Sequence, residues 1–250
     1  MLYATSHEHL EDQLKSVRLM LQRHARRHAD RLVDMRNESY TDECIGRSEV
    51  RRVLELGEDD GGQRWLDTLG YPQDEAVEAL LREHSQRLSE RLTATALGPA
   101  ISLPLEELRA SFQLSDLELK LLIAAAAPRL SVDLSRAFSF AWADFSVRQP
   151  TAGFLAELVS SGPQEAAQAL ACLDSNATLA RYRLIVLHEH ERWKPMTPLI
   201  HAPVAVPQRV IDFIVGLGAE AASPDGCTLH EGEADLDSLV FEEDARTALM

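Results

Sequence analysis

The sequence predicts a mainly α (α+β) fold in which a helical N-terminal unit precedes a winged-helix domain with a β-hairpin wing. Three observations lead there. Apolar residues recur at helical spacing through most of the first 175 positions; two runs rich in β-branched and aromatic residues follow, Arg181 to Glu189 and Leu199 to Val206; and a short helix closes the series. Several small helices followed by a hairpin wing is winged-helix order. The 250 residues are 45% hydrophobic, enough for one large domain or two modest ones. We read 1–97 as the helical unit, 98–218 as the winged-helix domain and 219–250 as an acidic linker or tail.

The first helix is expected from Ser6 to Met35. Leu10, Leu14, Val17 and Leu21 alternate at spacings of four and three, the seam of a coiled coil or a bundle helix. Beyond Leu21 the stripe drifts to Ala25 and Leu32, while His24, Arg23, Arg26 and Arg27 read as a solvated face. A second helix is expected from Asp74 to Ala96, with Ala76, Leu80, Leu81, His84, Leu88 and Leu92 on one face and Gly98-Pro99 ending it. This unit either packs on the next domain or mediates self-association.

Pro104-Leu105 opens a short helix with Leu105, Leu108 and Phe112 inward. Ser115 and Glu118 form a capping box for a helix that should stop at Ala127, before Pro128. Leu134, Ala137, Phe138, Ala141, Trp142 and Phe145 give the next helix an unbroken apolar stripe. Pro150-Thr151 then caps a helix from Ala152 to Ser160, and another should run from Pro163 to Leu173. The two β-rich runs pair as a hairpin, with Pro203 making the second an edge strand. Pro207 starts a last helix through Val210, Ile211 and Ile214, closed by Gly216.

Charge narrows the function classes. Forty acidic against twenty-five basic residues give −15, which repels phosphate backbones. Residues 98–161 carry five basic and seven acidic groups, and the helix from Ala152 has Glu157 as its only charge, so nucleic-acid binding is disfavoured. Residues 219–250 hold nine acidic groups and one basic. No cationic start with an apolar stretch and no bilayer-length apolar run occurs, so a cytoplasmic location without membrane contact is expected. Cys44, Cys172 and Cys227 fit neither a disulfide framework nor a zinc knuckle and are read as reduced thiols.

The run LSDLELKLLIAAAAPRLSVDLSRAFSFAWADFSVRQPTAGFLAELV, with LARYRLIVL and PLIHAPVAVPQRVIDFIVG, resembles the winged-helix region preceding the ATPase module of bacterial AAA+ ATPases, some of them encoded with contractile injection systems. The matching positions are Leu114, Ser115, Glu118 and Leu122; Pro128 and Leu130; Arg148 through Thr151 with Gly153; and Val210, Phe213 and Gly216. The resemblance covers about residues 104–217. It implies an N-terminal recognition or adaptor region engaging a protein client or scaffold, injection-system components among the candidates. It further implies a hexameric ring motor using ATP and Mg in the full-length protein. No GxxxxGK[ST] phosphate loop occurs here, so this chain is expected to hold no cofactor and to be the part before the motor. The rival reading is a DNA-binding winged-helix transcription regulator.

No catalytic constellation stands out, and no catalysis is expected of these residues. His188, His190 and His201 form a conceivable metal set, read here as a solvated strand end; His24 and His28 at i,i+4 are read likewise. The partner-binding candidates are Trp193 and Lys194 at the hairpin tip, and the smooth face offered by Ala152, Gly153 and Ala156. Arg148 and Asp144 are expected to fix the turn before the Ala152 helix.

Overall fold

A computed structural model describes residues 2–27, 74–98, 101–142, 149–187 and 198–217. Helix α1 (Ser6–Arg27) and helix α2 (Asp74–Ala96) lie side by side. There follow α3 (Pro104–Phe112), α4 (Asp116–Leu130), α5 (Val132–Trp142), α6 (Ala152–Val159), α7 (Pro163–Cys172) and the single turn α8 (Thr178–Arg181). Strand β1 (Val186–Leu187), a 3-10 turn (Leu199–His201), strand β2 (Val204–Ala205) and helix α9 (Gln208–Ile214) complete the described chain. The helical unit with a winged-helix arrangement is what the structure contains.

One apolar core joins the first helix to the rest. Val17, Leu21 and Ala25 of α1 share it with Leu121 and Leu122 of α4, Leu134 and Phe138 of α5, and Leu155 and Leu158 of α6. Of the two roles the sequence leaves open for the 1–97 unit, packing on the following helices is seen for α1. The α1 seam is buried as its spacing predicts, with Leu14 partly covered. The predicted stretch beyond Arg27 lies outside the described residues.

Helix α2 has the expected limits but a rotated face. Val77, His84, Leu88 and Thr95 are buried, whereas Leu80 is 48% exposed and Leu81 takes its place inward. The N-terminal end of α1 is stitched to the far end of α2. The Tyr3 amide donates to Thr95 Oγ1 (2.9 Å), the Tyr3 hydroxyl donates to Asp12 (3.1 Å), and Arg91 stacks over the Tyr3 ring at 4.0 Å while donating to Asp12 (2.6 Å) and Glu8. His84 Nε2 lies 2.8 Å from the Asp12 carbonyl.

The Ser115–Glu118 capping box forms with both reciprocal hydrogen bonds. Helix α4 does not stop at Ala127, however. It runs through Pro128 to Leu130, and the Ser131 amide still closes the last turn on the Ala127 carbonyl (3.1 Å). Full burial of Ala124 to Ala127 outweighs the backbone cost of a proline one residue on.

Among the described residues, both strands of the wing start later than the sequence suggests. Arg183 adopts a left-handed conformation (φ 53°), and the amides of Leu184 and Ile185 both turn back to the Leu179 carbonyl, so that among the described residues of this run the ladder is formed by Val186 and Leu187. In the other run, the amides of His201 and Ala202 likewise turn back, to the carbonyls of Pro198 and Leu199, closing a 3-10 turn. The strands pair antiparallel, Val186 with Ala205 and Leu187 with Val204. Pro203 does not mark an open edge. It faces Thr151 in an isolated antiparallel bridge flanked by Ala152 N–H to Ala202 O and Val204 N–H to Pro150 O, so its missing N–H falls where no donor is needed.

Candidate functional site

Helix α6 is the element on which the nucleic-acid and protein-docking readings turn. Thr151 caps it by accepting from the Phe154 amide (3.3 Å), as the Pro150-Thr151 pair predicts. Ala152, Phe154, Leu155, Ala156, Leu158 and Val159 are all buried, and Glu157 is its exposed charge. A helix so enclosed has no side chains left for base edges. The next helix, α7, exposes Gln164 and Gln168 and carries Glu165 but no cation.

The smooth face of Ala152, Gly153 and Ala156 is not open to a partner in this structure. The 3-10 turn of the wing covers it: a Cβ built on Gly153 would lie 2.7 Å from the Ile200 carbonyl oxygen. Small residues are required there for close intramolecular approach. Gly153→Ala should therefore cost about 1–3 kcal/mol through forced backbone displacement, read as a lower urea midpoint. An unchanged midpoint would show that the 3-10 turn yields freely.

The C-terminal end of α6 is held by α1. Arg23, only 4% exposed, donates to the Leu158 carbonyl (2.7 Å), and Arg27 donates to the carbonyls of Ser160 (3.2 Å) and Ser161 (3.3 Å). Glu78 of α2 accepts from both guanidiniums, at 3.3 and 2.9 Å. Cations at a helix C-terminus satisfy carbonyls that have no intrahelical donor and complement its partial negative charge. Burial pulls the Arg23 guanidinium down from its usual value, against the opposing pull of Glu78. The solvated face expected here is thus corrected: Gln22, Arg23 and His24 are buried, with the His24 ring edge-on to Phe154 at 5.1 Å.

A groove of about 1060 Å³ runs between α2 on one side and α3 and α4 on the other, floored by α1. Its walls mix Leu81, Leu92 and Ile123 with Ser85, Ser89 and Lys120. Glu106 lines it, and behind Glu106 lies a buried histidine. His9 is 1% exposed, its ring tilted 58° to that of Tyr3 with centroids 4.9 Å apart, and with Nε2 3.2 Å from Gln13 Nε2 and 3.8 Å from Glu106 Oε1. Burial chiefly holds the His9 ring down to about 4, with Arg91 adding to that and Asp12 opposing. Burial also raises the Glu106 carboxyl, whose Oε1 has no hydrogen-bond partner.

The remaining candidates are dispersed. Trp193, Lys194, His188, His190, His28, Arg148, Asp144, Cys44 and Cys227 lie outside the described residues. His201 is exposed on the 3-10 turn, and among the described residues no cluster of three His, Cys, Asp or Glu has metal-binding geometry. Cys172 is a half-buried free thiol, pushed up by burial and then by Glu118. No helix among the described residues is long and apolar enough to cross a membrane.

A family model described as a winged helix domain, variant, matches residues 1–223. The chain belongs to this family. Within this winged-helix protein the match takes in α1 and α2 as well as the helices around the wing. No curated protein and no solved structure matches the chain.

Proposed function

We propose that this winged-helix chain is a non-catalytic protein-recognition region of a bacterial AAA+ ATPase. It engages a client or scaffold protein, injection-system components among the candidates, and couples it to a hexameric, ATP- and Mg-dependent ring motor that this chain does not contain. A cytoplasmic setting fits such a role. The observation that carries the recognition role is the burial of α6: the helix entering after the bridge at Thr151 is consumed by the core, and its exposed charge is a carboxylate. The electrostatic term that supplies duplex affinity has no source there or on α7. The link to a ring motor rests on the resemblance over residues 104–217.

Three measurements test this reading. A labelled duplex titrated with the protein at low salt should show no anisotropy change, and calorimetry with ATP and Mg should show no heat of binding. Salt-sensitive duplex binding would instead establish the transcription-regulator reading. Sequencing the encoding DNA beyond residue 250 should reveal a phosphate loop; a stop codon with no motor in the same gene would overturn the proposal. Trp193 and Lys194 are the proposed partner contacts. Trp193→Ala should weaken client capture while leaving the thermal midpoint nearly unchanged, and a large fall in midpoint would make Trp193 a core residue.

A further inference from the structure

Two cations and an aromatic ring follow one another on the described surface at the end of α8. Arg181, Tyr182 and Arg183 are all exposed, in the turn that leads from α8 into the wing. Tyr182 lies between the two arginines in sequence and is 48% exposed, its ring 5.1 Å from that of Phe112 and 5.8 Å from the Arg181 guanidinium carbon. Neither arginine forms an ion pair among the described residues. The left-handed backbone at Arg183 and the amides of Leu184 and Ile185 folded onto the Leu179 carbonyl fix how the three side chains are displayed. Tyrosine and arginine on a rigid support are the residue types that carry binding energy at protein surfaces.

The sequence contains a segment of matching chemistry. Residues 235–244, Asp-Leu-Asp-Ser-Leu-Val-Phe-Glu-Glu-Asp, place five carboxylates and no cation around Leu236, Leu239, Val240 and Phe241. Carboxylates take the guanidinium fork in paired hydrogen bonds, and an apolar ring takes the exposed face of Tyr182. The connection is long enough. Helix α9, after which this segment follows, packs on α3, and α3 ends in Phe112, the ring on which Tyr182 rests. The nine residues of α3 span about 14 Å, whereas the 17 residues from Gly218 to Ala234 reach at most about 60 Å.

We propose that Arg181, Tyr182 and Arg183 form a docking surface for the chain's own acidic segment, residues 235–244. The contact is intramolecular and competes with any acidic partner that approaches the same three residues. It is independent of whether the protein serves a ring motor.

The test uses the full chain with Cys44 and Cys172 replaced by serine and a nitroxide on Cys227, read by loss of backbone amide NMR intensity. Amides of residues 111–113 and 180–184 should lose most of their intensity. The loss should disappear in the Arg181→Glu/Arg183→Glu variant and return when Asp235, Asp237, Glu242, Glu243 and Asp244 are also changed to lysine. It should also fade as salt rises from about 0.1 to 1 M, where the screening length drops from about 10 to about 3 Å. If the double glutamate variant does not fold, Arg181→Gln/Arg183→Gln and the salt titration carry the same readout. No intensity loss at low salt, or a loss indifferent to the arginines, overturns the proposal. A loss that grows with protein concentration assigns the contact to a second copy and overturns the intramolecular form.

Discussion

Arg23→Met is expected to lower the unfolding free energy by about 3 kcal/mol. Methionine keeps the apolar bulk, so the loss isolates the polar contacts: the Leu158 carbonyl would be left buried without its donor, and Glu78 would lose one of two cations. Removing one member of a buried, charge-assisted pair costs about 3–5 kcal/mol, and an orphaned buried carbonyl alone about 1–3. For a chain of this size a loss of about 3 kcal/mol corresponds to a fall of roughly 6–12 °C in Tm. Arg27→Met serves as the control, since Arg27 is 32% exposed and its carboxylate contact is partly screened; the expected loss there is about 1 kcal/mol or less. Equal effects at the two positions would mean that burial of the Arg23 contacts is not what matters.

Acidification below pH 6.5 should destabilise the protein steadily, and His9 should account for most of the slope. The unfolded chain protonates this ring near 6.5, but the folded chain resists until about 4. Between those values the unfolded state holds the extra proton, so stability falls as pH falls, at about 1.4 kcal/mol per pH unit and about 3 kcal/mol in all. Glu106 acts in the opposite sense. Its raised carboxyl takes up a proton in the folded state before the unfolded one does, which offsets part of the loss at the acid end. Urea midpoints measured from pH 7 to pH 4 should therefore decline, and His9→Gln should flatten the decline. A His9 ring titrating at its ordinary value by NMR would remove the basis for this expectation.

Local chemistry was the legible part of this fold. The Ser115–Glu118 box, the Thr151 cap, the limits of α2 and the Pro207 start of α9 all rest on residues within a few positions of one another. Errors arose where a distant group decides. Arg23 and His24 sit among other basic residues and read as solvated, because the carbonyl that buries Arg23 lies 135 positions away. The β-rich composition of Arg181 to Ile185 gave no hint that the Leu179 carbonyl would claim two amides. In the candidate site, the small side chains of Ala152, Gly153 and Ala156 are legible in the sequence, whereas the approach of the wing's own turn to Gly153 is not. The 3.8 Å approach of Glu106 to His9 has no sequence signature, since the two residues meet only through tertiary packing.

The clamp on α6 has a consequence for biosynthesis. Ser161, the last residue that Arg27 reaches, leaves the ribosome 134 residues after it. At roughly 5–20 residues per second, α1 emerges and waits about 7–27 s for the surface that completes it. During that interval the Val17, Leu21 and Ala25 stripe is only partly covered, since α4 and α5 arrive before α6. Nascent chains stalled before residue 161 should accordingly be strong customers for holding chaperones, and release from them should coincide with the arrival of α6.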